Sequence, residues 1–169
     1  MAFLEPDRSN VLLIRCLDIR PYNERLFDHL VSYAGRDERI HVIDANQTHF
    51  PLHEFLACLN VFLALFRSEG YGLNLVEATQ VSLTVVATGW TLAPDIAARP
   101  EIPTVGYRLV VPSDPQHAYE KFDGALWAEP DLSQAAKILQ ELKVSWRKSA
   151  HTPRLGKGKR VSMNKNEDL

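Results

Sequence analysis

Arg67-Ser68-Glu69-Gly70-Tyr71-Gly72-Leu73-Asn74-Leu75-Val76-Glu77 follows directly on the apolar run Val61 to Phe66 and carries two glutamates with seven residues between them, a glycine pair among these. An apolar run that ends in a glycine-permitted turn and feeds a helix is a strand–turn–helix unit. Such a unit presents backbone N–H groups, and the positive end of the helix dipole, at the C-terminal edge of a sheet, where anions bind. Glu69 and Glu77 then flank the anion position. Carboxylates accept paired hydrogen bonds from vicinal hydroxyls while backbone amides hold a diphosphate, so the stretch points to a nucleotide sugar.

Working outward, strands and helices alternate. Val11-Leu12-Leu13-Ile14-Arg15 reads as a strand buried in a parallel sheet, and Pro21 to Tyr33 as a helix with Leu26, Phe27, Leu30 and Val31 on one face. Arg39 to Asp44 repeats the strand signal. A loop around Asn46 to Pro51 and a short helix to about Cys58 precede the third strand, Val61 to Phe66. Beyond the glycine turn come a helix from about Gly72 to Val81, a strand at Thr84 to Thr88, and a connection containing Pro94, Pro100 and Pro103. Tyr107 to Val111 is a further short strand. The last element is a helix from Leu132 to Leu142, with Asp131 as N-cap, Gln134 three residues on, and a buried stripe of Leu132, Ala135, Ala136, Leu139 and Leu142. This alternation predicts an α/β fold, a Rossmann-like parallel sheet with helices on both faces.

With 169 residues, 46% of them hydrophobic, the chain suits one core. Its formal charge of −2 hides an asymmetry: residues 1–142 carry 11 Lys+Arg against 19 Asp+Glu, and residues 143–169 carry 8 against 2. The acidic body argues against nucleic acid as a partner. Residues 143–169 form a basic tail, expected to be disordered from Thr152 on, and its charge suits weak contact with an anionic membrane. Neither a basic leader with an apolar core nor an apolar stretch of about 18 residues is present, so the expected location is cytoplasmic, with peripheral contact at the inner membrane face. Cys16 and Cys58 read as reduced core thiols.

Other chemistries find no support. There is no Asp-x-Asp for a metal-held diphosphate, and the six histidines show no ligand spacing, because Pro51 spoils a shared face for His49 and His53. Neither G-x-S-x-G, nor a Walker P-loop, nor G-x-G-x-x-G after a strand occurs. No metal and no cofactor are expected.

Phe66 to Leu73 through Glu77-Ala78, followed by Val85-Val86-Ala87-Thr88-Gly89, resembles the donor-binding domain of the glycosyltransferase family 4 (group 1) enzymes of GT-B architecture. The likeness extends to Arg39–Asp44 and Val61–Leu63 upstream and to Tyr107–Pro112 and Trp127–Asp131 downstream, covering about residues 10–142. It implies that Glu69 is the catalytic carboxylate facing the donor sugar and that Glu77 binds the nucleotide ribose. The amides of Gly70, Tyr71, Gly72 and Leu73 would meet the diphosphate. Arg67 is either a phosphate ligand or an exposed arginine at a strand end, and Tyr71 is read as packing under the loop, with stacking on the ligand as the alternative. The implied activity is retaining transfer from a nucleotide diphosphate sugar. The chain also departs from the family pattern. Ser82 and Thr84 stand where glycine and proline are usual, Trp90-Thr91-Leu92-Ala93 replaces a small glycine-rich stretch, and the family's opening strand with its diphosphate-clamping Arg and Lys has no counterpart. Residues 1–142 are therefore expected to be the C-terminal, donor half of such an enzyme without its first strand. That half would work with a separate acceptor-domain chain or a second copy. A degenerate, non-catalytic nucleotide-sugar binding module is the alternative.

Overall fold

In a computed structural model of the chain, residues 10–48, 50–90, 92–113 and 124–150 are described. The apolar run after Asn10 forms β1 (Leu12–Cys16), and Asn23 splits the helix that follows into α1 (Ile19–Tyr22) and α2 (Glu24–Ala34). The break has a local cause. Asn23 adopts an extended backbone with φ −155°, and its side-chain oxygen accepts the N–H of Leu26 at 3.0 Å, capping a new helix. The expected apolar face is only partly inward: Phe27 and Ala34 are buried, whereas Leu26 and Val31 are exposed.

β2 (Ile40–Asp44) pairs in parallel with β1, Leu12 opposite Ile40 and Cys16 opposite Asp44. After α3 (Leu52–Ala57) comes β3 (Val61–Ala64), which ends two residues before the apolar run does. α4 (Leu73–Gln80), β4 (Thr84–Thr88), α5 (Pro94–Ala97) and the short β5 (Thr104–Val105) complete a second parallel sheet in the order β3-β4-β5. β4 is its centre. Val85 and Ala87 pack on one face with Leu56, Leu75, Ala78 and Ile96, while Val86 packs on the other with Val105 and Ala135. The fold is thus α/β with small parallel sheets, and the β3-β4-β5 sheet carries helices on both faces.

Four expectations are corrected. The strands do not make one continuous sheet, because among the described residues no pairing joins β1 to β3. An open cavity of about 1220 Å³ lies between these two strands and is lined also by α3 and the last helix. Tyr107 to Val110, labelled β6, does not extend the parallel set but pairs antiparallel with β7 (Trp127–Pro130). The basic segment begins as helix rather than tail, since α6 runs from Leu132 to Ala150; the rest of the expected tail, residues 151–169, lies outside the described residues. Of the two cysteines only Cys16 is buried, and burial raises its pKa with help from the Asp44 charge; Cys58 is exposed.

The α6 start also differs in detail. Asp131 caps it as expected, its Oδ1 accepting the N–H groups of Ser133 at 2.9 Å and Gln134 at 3.0 Å. Gln134 does not close a capping box. Its Oε1 accepts the Gly106 N–H at 2.6 Å while the Gly106 carbonyl accepts the Asp131 N–H at 2.8 Å, which ties α6 to the β5–β6 bend. Leu132 is exposed instead of lining the buried stripe.

The turn before β4 gives a stability prediction. Ser82 sits at φ 58°, a left-handed conformation that costs a non-glycine residue roughly 1–2 kcal/mol. Glycine there removes the strain but adds about 0.5–1 kcal/mol of unfolded-chain entropy. Ser82→Gly is therefore expected to stabilise by about 0.5–1 kcal/mol, read as a higher urea midpoint at unchanged slope.

Candidate functional site

The β3–α4 junction is built by one glycine. Gly72 is the α4 N-cap at φ 79°, a left-handed conformation that favours glycine, and a Cβ there would press on Leu75 Cδ1 at 3.0 Å. Gly70 has no such requirement, since a Cβ on it would meet nothing within 4 Å. Helix geometry leaves the first amides of α4 without carbonyl partners. The Gly72 carbonyl accepts from Leu75 and Val76, and among the described residues the N–H groups of Leu73 and Asn74 donate to nothing. These amides open at the carboxyl end of β3.

Glu69 lies beside them, half-buried, and turns inward. Its Oε1 accepts the N–H of Gly70 at 3.0 Å and of Gly72 at 3.1 Å. Two of the four amides expected to meet a diphosphate are therefore occupied by the carboxylate expected to face the sugar. Glu77 is on the exposed side of α4, whose inward face is formed by Leu75 and Ala78. Tyr71 is 54% exposed, which corrects the expectation that it packs beneath the loop; Leu73 is exposed as well.

Arg67 is not available as a free cation. Its Nε lies 2.8 Å and its Nη2 3.2 Å from the two carboxylate oxygens of Glu129 on β7, a paired geometry. The Arg67 carbonyl also accepts the Ala128 N–H at 2.9 Å. Together these bonds tie the end of β3 to the β6–β7 pair. The Arg67 hydrogen bond, aided by the charges of Arg67 and Arg108, holds the Glu129 carboxyl below the usual glutamate range against the opposing effect of desolvation.

Three further residues frame this edge of the sheet. Thr88, the last residue of β4, is fully buried, and its hydroxyl makes no hydrogen bond among the described residues. Trp90, two residues on, packs against Tyr107 with ring centroids 5.3 Å apart at 58°. Trp90 is thus held against β6. None of Arg67, Glu69, Gly70, Tyr71, Gly72, Leu73 and Glu77 lines the cavity between β1 and β3; of this turn, only Asn74 does. Among the described residues no group of three metal-binding side chains is present, and no helix is long and apolar enough to cross a membrane.

The structure sets Glu69 against Gly72 at the α4 start, and the sequence reading missed Glu129, Thr88 and the Trp90–Tyr107 pair. Glu129 was visible only as part of a family-like segment. No short-range signal couples it to Arg67, 62 residues away. No family model, no curated protein and no solved structure matches this chain.

Two predictions follow from these contacts. A carboxyl whose pKa is lowered on folding contributes stability above its unfolded pKa and loses it as pH falls through the folded value. Glu129→Gln is therefore expected to be less stable than the wild type at neutral pH, with the difference closing in acid below the usual glutamate range. Combining it with Arg67→Ala is expected to cost little more than either change alone, as chemical denaturation of the four proteins will measure. The unpartnered Thr88 hydroxyl predicts the opposite sign for Thr88→Val, a gain of about 1 kcal/mol, because leaving a buried polar group unsatisfied costs about 1–3 kcal/mol.

Proposed function

We propose that the chain binds a nucleotide diphosphate sugar at the β3–α4 junction and is the donor-binding half of a retaining glycosyltransferase of the group 1 type. The observation that carries this reading is the junction itself. Gly72, in a left-handed turn, opens α4 with unpartnered amides at Leu73 and Asn74, and Glu69 and Glu77 stand on either side of them in sequence. Helix-start amides suit the diphosphate, since they supply partial positive charge without a metal. Glu77 is the ribose ligand in this proposal. Glu69 is the sugar-facing carboxylate, and it reaches the sugar only by releasing Gly70 and Gly72, whose amides then turn to the diphosphate.

Catalysis by this route needs positive charge near the leaving diphosphate and an acceptor held in line. Transfer is accordingly assigned to a complex with an acceptor domain, on a separate chain or a second copy, and the proposed location is cytoplasmic. A second reading, a non-catalytic nucleotide-sugar binding module, is favoured by two specific features: Arg67 is engaged by Glu129, and Glu69 is folded onto its own loop.

Calorimetric titration with a panel of nucleotide diphosphate sugars tests both. Binding is expected with a Kd between about 1 mM and 1 μM, equivalent to roughly −4 to −8 kcal/mol. Glu77→Ala is expected to weaken the nucleoside diphosphate and the sugar nucleotide alike. Glu69→Ala is expected to weaken only the sugar nucleotide and to leave the nucleoside diphosphate as tight or tighter, because it frees two amides. Binding indifferent to Glu69 favours the non-catalytic module, and no binding by any member of the panel overturns both readings.

A further inference from the structure

β6 pairs with β7 on one side only, and the register decides which of its main-chain groups are left over. In an antiparallel pair, residues alternate between those that exchange main-chain hydrogen bonds with the partner strand and those that turn these groups away. The Asp131 N–H donates to the Gly106 carbonyl, so Gly106 faces β7, and by alternation Arg108 and Val110 do as well. Across the ribbon, Ala128, opposite Leu109, sends its N–H away from β6 to the Arg67 carbonyl, which fixes the same phase independently. Tyr107 and Leu109 therefore direct their N–H and C=O groups outward. Among the described residues these groups meet no main-chain partner.

The side chains along this edge are apolar. Tyr107, Leu109 and, next in the alternation, Val111 share one face, with Leu126 beside Val111 in the register of β7, and all four are exposed. Strand edges that face water are usually blunted by charge, proline or a bulge. Among the described residues none of these stands at an outward position of β6. Arg108 lies on the opposite face, and Pro112 falls where its missing N–H would point toward β7. The Trp90 ring, packed on Tyr107, holds the start of the edge in place.

We propose that β6 pairs antiparallel with β6 of a second copy of this chain about a two-fold axis at Leu109, joining two β6–β7 ribbons into one four-stranded sheet. The register selects this occupant. With the axis at Leu109, the outward groups of Tyr107, Leu109 and Val111 meet Val111, Leu109 and Tyr107 of the second copy, and apolar side chains stand opposite apolar ones throughout. Arg108 then faces Val110. Moving the axis to Arg108 sets two guanidinium groups opposite each other at the close spacing of about 4.5 Å between Cα atoms. Moving it to Val110 leaves Tyr107 against Ser113. Contact and charge thus favour one register. A shared edge of five residues is about 17 Å long and about 10 Å deep, well short of the roughly 1,200–2,000 Å² of a long-lived interface, so the dimer is a weak, exchanging one. This contact is independent of the donor site.

Sedimentation of the full chain from about 1 μM to about 1 mM tests it, with a monomer–dimer Kd expected inside that range. Leu109→Lys puts two like charges face to face at the axis, and because Leu109 is exposed the variant is expected to fold; its dimer is expected to be at least about tenfold weaker. A second measurement does not depend on that variant. The axis brings the two Leu109 Cα atoms to about 5.5 Å, within disulfide range, so Leu109→Cys in a Cys58→Ser background is expected to cross-link under mild oxidation. Val111→Cys in the same background is not, since the register holds the two Val111 positions four residues apart along the strands. NMR hydrogen exchange of the Tyr107 and Leu109 amides is expected to slow as concentration rises. Four results overturn the proposal: a monomer throughout, which leaves the edge to a different chain; a dimer indifferent to Leu109→Lys, which moves the interface elsewhere; cross-linking of Val111→Cys as readily as Leu109→Cys; and protection of the two amides at every concentration, which gives the edge to another part of the same chain.

Discussion

The rest of the structure depends on β4 being hydrogen-bonded on both sides. Val85, Val86, Ala87 and Thr88 are all buried, so their main-chain groups have to be met by protein; β3 pairs along the strand on one side and the short β5 pairs with Ala87 and Thr88 on the other. With both edges paired, the alternation of its side chains decides the layers. Val85 and Ala87 seat α3, α4 and α5, and Val86 seats α6. The helix start at Gly72 is placed by this arrangement, because Leu75, one turn in, packs in the same cluster as Val85. Gly72 takes a left-handed φ of 79° there, and a side chain on it would crowd Leu75. The candidate site thus inherits its position from the core.

Much of this was legible because a buried parallel strand and an amphipathic helix have different periods. The apolar runs at Leu12, Ile40, Val61 and Thr84 each became a strand, and α4 kept within one residue of its expected span. What was not legible were the choices between partners of equal local quality. Tyr107 to Val110 is a competent strand in either orientation; its direction is set by β7 and by Gly106, which is bonded on both sides by the start of α6. Asn23 was read as helix interior. It breaks the helix because its side chain competes with the backbone for the Leu26 amide, the same property that makes asparagine a cap.

The candidate site shows the same competition at the level of function. Glu69, within reach of two loop amides, satisfies them, and Arg67, across from Glu129, pairs with it. Residue type and spacing are identical for a carboxylate that closes its own loop and one that awaits a sugar. The sequence therefore names the participants without deciding their partners. Tyr71 went astray for a related reason: a tyrosine beside two glycines has two surfaces on which to lie, and here it takes the solvent side.

β1 carries the clearest mismatch between composition and place. Leu12, Leu13 and Ile14 succeed one another without the apolar–polar alternation of a strand exposed on one face, a pattern suited to a strand covered on both faces and flanked on both edges. In the structure each of these residues is only half-buried, and the strand is paired on one side. Strands at a true edge are usually blunted by charge, proline or a bulge. β1 has Arg15 alone for that purpose. Its other edge faces the cavity beside β3, whose lining of Phe55, Leu56, Phe62 and Leu139 gives these side chains apolar surroundings.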